Sequence, residues 1–93
     1  MIEVNQLTRL DNDNEYFSFV ISAISHSDPY AKVVLSKNKT HISVSIIPSD
    51  KSFRQGIINN LLEVNRRFGI TIHFSKSLKI QKRIYYNFEY STN

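Results

Sequence analysis

The clearest pattern in the chain is a stripe of apolar residues at helical spacing over residues 49–69. Steps of four, four, three and four residues keep these side chains on one face of a helix. Ser49 is placed to cap the first turn, and Gly69 can take the left-handed conformation that ends a helix. A capped amphipathic helix is therefore predicted here, with the rest of the chain packed against its apolar face. The stripe consists of Phe53, Ile57, Leu61, Val64 and Phe68.

A second helix is predicted over residues 15–26, although this segment also has strand character. Its apolar residues fall at i, i+3, i+4 and i+7, and Asp11 or Asp13 is placed to cap it. Its many β-branched and aromatic residues favour a strand instead, which would leave a β-rich sheet with a single helix. In either case Asp28-Pro29 ends the element, because the residue before proline is pushed out of the helical region. The helical positions are Phe17, Val20, Ile21 and Ile24.

Alternating polar and apolar residues predict strands in the rest of the chain. The polar run over residues 36–40 predicts the turn of a hairpin between the second and third strands. Lys82 interrupts the last alternating stretch, so either the preceding turn extends to Lys82 or the strand bends there. The predicted strands cover residues 1–8, 30–35, 41–47, 70–75 and 78–90.

The predicted order is β-α-β-β-α-β-β, which indicates an α+β two-layer sandwich with helices on one face of a mostly antiparallel sheet. The first six elements match the ferredoxin-like β-α-β-β-α-β order, and the seventh adds a C-terminal β-hairpin strand. At 93 residues, the chain is expected to form a single domain over residues 1–93.

Composition excludes several classes of protein. The chain has no cysteine, which rules out disulfides and thiolate chemistry. No basic and apolar leader is recognisable at the N-terminus, and no apolar run approaches the roughly 18 residues of a membrane span. We therefore expect a cytoplasmic, intracellular protein without a membrane partner.

Motifs for catalysis or metal binding are not recognisable. His26, His41 and His73 do not have the spacing of metal ligands, and the carboxylates cluster only at residues 11–15, where capping explains them. The sequence contains neither a Gly-x-Ser-x-Gly elbow nor a glycine-rich phosphate loop. We therefore predict a non-catalytic protein that uses no metal, cofactor or small-molecule substrate.

Charge is distributed unevenly along the chain. Residues 1–50 carry four cationic and six anionic side chains, a net charge of −2. Residues 51–93 carry eight cationic and two anionic side chains, a net charge of +6. A basic half of this kind favours an acidic partner, either nucleic acid or protein.

The basic residues of the C-terminal half are interleaved with aromatic ones. Lysine and arginine neutralise phosphates, and aromatic rings on a sheet face stack bases. In the predicted register Tyr85 shares the outward face of its strand with Lys79 and Arg83. We therefore expect RNA or single-stranded DNA to bind through this face and the basic end of the long helix. The predicted contact residues are Arg54, Arg66, Arg67, Lys76, Lys79, Lys82, Arg83 and Tyr85.

A second hypothesis follows from the same charges. Lysine and arginine on a strand also serve as a solvated surface or as edge charges that prevent aggregation. The protein would then be a protein-binding accessory factor, such as an inhibitor, assembly factor or adaptor, that docks an acidic partner or pairs a sheet edge. Pairing through a sheet edge would include a homodimer of this chain.

Overall fold

Two helices lie on one face of a four-stranded sheet. The computed structural model describes residues 7–10, 12–74 and 83–92. No helix in these ranges is long and apolar enough to cross a membrane. In chain order, the elements are β1 (Leu7–Leu10), α1 (Asp13–Ser27), β2 (Lys32–Lys37), β3 (His41–Ile47), a 3-10 turn (Lys51–Phe53), α2 (Arg54–Arg67) and β4 (Ile84–Thr92).

The sheet order is β1-β4-β3-β2. Strands β2, β3 and β4 are antiparallel, and the short β1 pairs in parallel with β4. The predicted α+β class is therefore confirmed, and the hairpin between β2 and β3 forms as expected. Asn38 holds its turn, because its side-chain oxygen accepts hydrogen bonds from the backbone N–H groups of Thr40 and His41.

The predicted ferredoxin-like order with an added C-terminal hairpin is not confirmed. Residues 70–74 form no strand, although Ile70 and Ile72 are buried in the predicted alternation. The strand that pairs with β3 is β4, and its Ile84, Tyr86 and Phe88 are buried in the core. The parts of the predicted strands at residues 1–6 and 75–82 lie outside the described residues.

The hydrophobic core lies between the helices and the inward face of the sheet. Inward residues of β3 and β4 alternate as predicted, and both helices contribute positions four or three residues apart. Burial of this apolar area is the main term that stabilises the fold. The core side chains of the strands and helices are Leu10, Tyr16, Val20, Ile24, Ile42, Val44, Ile46, Ile57, Leu61, Val64, Ile84, Tyr86, Phe88 and Tyr90.

Residues 13–27 form a helix, so the predicted helix is confirmed and the strand alternative is wrong. Its cap is Asn12 and not Asp13, because the Asn12 side-chain oxygen accepts from the backbone N–H groups of Asn14 and Glu15. Of the predicted helical positions, Val20 and Ile24 are buried, but Tyr16 completes this face, while Phe17 is half-buried and Ile21 is 47% exposed.

The start of α2 differs from the prediction as well. Asp50, and not Ser49, caps the 3-10 turn by accepting from the Ser52 N–H. Ser49 instead donates its N–H and hydroxyl to the buried carboxylate of Asp28, at 2.8 and 2.7 Å. Burial disfavours the charged form of Asp28, but these hydrogen bonds outweigh it and hold the pKa of Asp28 below its usual value. Asp28 thereby ties the end of α1 to the start of the 3-10 turn.

The end of α2 agrees with the prediction. Gly69 has a φ of 73°, which is left-handed, and its N–H bonds to the Arg66 carbonyl. Of the predicted apolar stripe, Ile57, Leu61 and Val64 are buried. The remaining two members lie outside the helix, where Phe53 is 41% exposed and Phe68 is half-buried.

A hydrogen-bonded cluster of three polar side chains lies inside the core. The Tyr16 hydroxyl donates to Asn65 Oδ1 at 2.7 Å and lies 2.7 Å from the Tyr86 hydroxyl. Asn65 Nδ2 donates to the Leu61 carbonyl and, at 3.4 Å, to the Tyr86 hydroxyl. Burial raises the pKa of Tyr86 to about 12 and also raises that of Tyr16. Both hydroxyls therefore stay protonated at neutral pH, and together they join α1, α2 and β4.

Gly56 is the one glycine inside a helix, and we expect alanine at this position to stabilise the protein by about 1 kcal/mol. A Cβ at Gly56 would meet only Ser27 Oγ at 3.6 Å and Ser27 Cβ at 3.9 Å, which are ordinary contacts. Urea denaturation of Gly56→Ala should therefore show a higher midpoint with an unchanged slope. A lower midpoint would show that the contact with Ser27 is too tight for the added methyl group.

Candidate functional site

The face of the sheet opposite the helices carries the candidate site. Side chains of β2, β3 and β4 form rows across this open face, because residues paired in register point to the same side. We call this surface the open face. Its rows on these three strands are Lys32, Ile47 and Arg83; Val34, Ser45 and Tyr85; Ser36, Ser43 and Asn87; and His41 and Glu89, a row without a member on β2.

The first row is basic at both ends. Lys32 pairs with Ile47 in the sheet, and Arg83 continues the row because it precedes Ile84, which pairs with Ile46. The two cationic residues therefore lie two strands apart, about 10 Å between backbones. The guanidinium of Arg54 lies near the same end, since its Nη1 donates to the Arg83 carbonyl at 3.4 Å. Three cations thus gather at the end of the sheet where β4 begins.

Tyr85 occupies the second row, beside the basic one. Its hydroxyl is 3.5 Å from Ser43 Oγ and accepts from Asn87 Nδ2 at 3.3 Å. Both partners belong to the third row, so the phenol ring leans along the sheet and does not stand away from it. The ring is half-buried, and it lines the same depression as the exposed side chain of Val34. Such a ring offers a flat apolar surface next to cationic groups.

The open face is slightly concave. A shallow depression of about 410 Å³ is lined by members of the first three rows. Two buried polar atoms on either side of Tyr85, Arg83 Nε and Asn87 Oδ1, have no hydrogen-bond partner among the described residues. Glu89 adds a carboxylate near the opposite end of the face. The arrangement therefore offers cations at one end, an aromatic ring beside them and hydroxyl and amide groups beyond.

The structure does not place all the predicted contact residues together. Arg83 and Tyr85 share the open face as predicted, and Arg54 reaches its basic end. Arg66 and Arg67 lie at the other end of α2, about 18 Å from Arg54 along the helix axis. The remaining three predicted residues, Lys76, Lys79 and Lys82, lie outside the described residues.

Arg66 and Arg67 are also engaged by an anion of their own helix. Arg66 Nη2 lies 2.8 Å from both carboxylate oxygens of Glu63, and Arg67 Nε lies 3.7 Å from one of them. The hydrogen bond from Arg66 lowers the pKa of Glu63 below its usual value. These two arginines therefore belong to a partly neutralised helix end and not to the open face.

Lys32 and Val34 are among the residues of the open face that the sequence analysis did not group with Arg83 and Tyr85. Lys32 was counted only in the charge of the N-terminal half, and Val34 was taken as part of an ordinary strand. The signal that finds them is the pairing register, since Val34 and Ser45 lie in one row with Tyr85. Sequence distance hides this proximity, because β2 and β4 lie about fifty residues apart in the chain.

The three histidines do not converge. His26 lies in the last turn of α1, His41 begins β3 and bonds to the Thr40 hydroxyl, and His73 is exposed on the segment after α2. Within the described ranges no group of three or more histidine or carboxylate side chains could hold a metal ion.

Comparison of the chain with protein-family models, with curated proteins and with solved structures gives no match.

Proposed function

We propose that the protein binds single-stranded nucleic acid, RNA or DNA, on the open face. The observation that carries this proposal is the row pairing that sets Lys32 and Arg83 beside Tyr85. Phosphates would lie along the basic row, where Lys32 and Arg83, with Arg54 of α2 near the end of the row, neutralise them and release counterions. A base would stack on the Tyr85 ring, and serine and asparagine groups of the third row would meet its polar edge.

The chemistry of the face favours a single strand over a duplex. A flat sheet face with one accessible ring can receive an unstacked base, whereas the bases of a duplex are already stacked on each other. The described residues of the face carry neither a projecting helix nor a β-ribbon for a major groove. Binding is therefore expected to depend on salt and to vary little with sequence.

Fluorescence anisotropy with labelled single-stranded RNA and DNA tests the proposal. Affinity should fall steeply between about 50 and 200 mM salt, with a slope near −0.7 for each phosphate contact. An absence of salt-dependent binding at micromolar protein would overturn the proposal, and the protein-binding hypothesis would then be the one to pursue.

Arg83→Gln should weaken binding and make the salt slope shallower by about 0.7, because it removes one phosphate contact. Arg66→Gln is the matched control, since it removes the same charge from a helix end that already pairs with Glu63. It should leave the slope unchanged. Equal losses in the two variants would show that overall charge, and not the open face, attracts the nucleic acid.

A further inference from the structure

Strand β2 forms one edge of the sheet. Among the described strands it pairs only with β3, so the backbone groups along its outer side have no ladder partner there. At the middle of this strand the Val34 side chain is 64% exposed. A six-residue edge with an exposed apolar centre is a template for pairing with another strand.

The sequence of β2 is self-complementary in one antiparallel register. If Val34 lies opposite Val34 of a second copy, Val33 faces Leu35 of that copy and both pairs are apolar. In the same register Lys32 faces Ser36, and Ala31 faces Lys37. Every lysine therefore has a neutral neighbour, and a two-fold axis passes through Val34.

The two lysines disfavour the neighbouring registers. The backbone groups of β2 point away from β3 only at every second residue, so a slip must be by two residues. A slip of two residues in one direction sets Val33 opposite Lys37, and in the other direction it sets Lys32 opposite Val34, so in each case a charged side chain replaces the apolar partner of a valine. The usual edge-strand lysines thus select one pairing instead of preventing all of them.

A second apolar surface lies beside the same edge. Asp13, which pairs with Lys37 of β2, fixes which flank of α1 lies toward this edge. Phe17 and Ile21 follow Asp13 at i+4 and i+8 and so lie on that flank, and Ile21 is 47% exposed. A two-fold pairing of β2 would bring the α1 flanks of both copies toward each other and cover part of this surface.

We propose that the protein forms a homodimer by antiparallel pairing of β2 with β2 of a second copy, centred on Val34. The two sheets then become one continuous sheet, with all helices on one side and both open faces on the other. This interface involves no ligand, so dimer formation can be tested, and rejected, independently of nucleic-acid binding. Because one six-residue edge is a small interface, we expect a dissociation constant in the micromolar range.

Sedimentation velocity from about 5 to 500 µM protein measures this association without nucleic acid. The wild-type chain should shift from monomer to dimer across the range, and Val34→Lys should stay monomeric because it sets two lysines on the two-fold axis. Leu62→Lys is the matched control, since Leu62 is 45% exposed on α2 and should leave the dimer unchanged. A wild-type monomer at every concentration would overturn the proposal.

Substitutions of Ser36 test the register itself. The two-fold axis produces two Ser36–Lys32 pairs, so Ser36→Glu places a carboxylate opposite a lysine at two sites. This change should lower the dissociation constant of the dimer about 2- to 30-fold. Ser36→Lys places like charges there and should weaken the dimer by a comparable factor. A dimer that responds to neither change, or that survives Val34→Lys, would show that another surface mediates association. Circular dichroism of each variant establishes that the fold is retained.

Discussion

Replacing Asn65 with leucine is expected to lower the free energy of unfolding by about 1–3 kcal/mol, although the two side chains are similar in size. The reason is the direction of the hydrogen bonds inside the core, that is, which group donates to which acceptor. Tyr16 donates to Asn65 Oδ1, which leaves the Tyr86 hydroxyl to donate to Tyr16. With leucine at position 65 only one acceptor remains for two buried hydroxyl donors. One O–H group then stays buried without a partner.

Removing the whole cluster should cost much less than removing one member. In the triple variant Tyr16→Phe, Tyr86→Phe and Asn65→Leu no buried donor is left, and the replacement of all partners by apolar groups is close to neutral. The three changes are therefore strongly non-additive, as expected for side chains that share one network. Urea denaturation of the single and triple variants measures this coupling.

Asn59→Leu provides the control for this set. Asn59 lies in the same helix but is exposed, so its replacement should change stability by no more than about 0.5 kcal/mol. A triple variant as unstable as the sum of its single variants would contradict the network interpretation. The cluster would then contribute through packing of the rings alone.

Regular alternation was enough to predict the inward faces of β3 and β4. Because side chains of a strand point to opposite faces in turn, one buried position determines all the others. This is why Arg83 and Tyr85 were correctly predicted to share a face. Alternation also predicted the burial of Ile70 and Ile72, but it does not show whether a segment pairs with a neighbouring strand, and residues 70–74 form no strand.

Polar residues inside the fold could not be found in this way. Hydropathy places Asn65 and Asp28 on the surface, yet both are buried because partners distant in sequence satisfy their hydrogen bonds. Tyr16 was missed for a related reason, since its buried hydroxyl depends on Asn65 and Tyr86. Such positions are decided by tertiary contacts that a local pattern does not contain.

The candidate site was predictable only along single strands. The sequence joined Tyr85 to Arg83, two residues away, but could not place Lys32 and Val34 beside them before the strand order was known. It also grouped Arg66 and Arg67 with the basic face, because they end the helix that the basic C-terminal segment follows in the chain. The helix itself separates them, since its length carries Arg66 about 18 Å away from Arg54.

Tyr85→Leu should weaken binding of a single-stranded oligonucleotide about 5- to 150-fold, since stacking of one base on an aromatic ring contributes about 1–3 kcal/mol. Leucine keeps an apolar side chain on the open face but removes the flat ring. The salt slope should stay the same, because no phosphate contact is lost. Anisotropy titrations at two salt concentrations separate this effect from that of Arg83→Gln, which changes the slope.

Two further tyrosine variants test whether the loss of affinity comes from the ring at position 85. Tyr85→Phe keeps the ring and loses only the hydroxyl contacts to Ser43 and Asn87, so it should bind almost as well as the wild-type chain. Tyr30→Leu removes a ring that is 83% exposed in the loop before β2 and should have no effect. If Tyr85→Leu binds normally, or if Tyr30→Leu loses as much affinity, stacking on the open face is contradicted. Retention of salt-dependent binding in that case would indicate a surface that recognises phosphates alone.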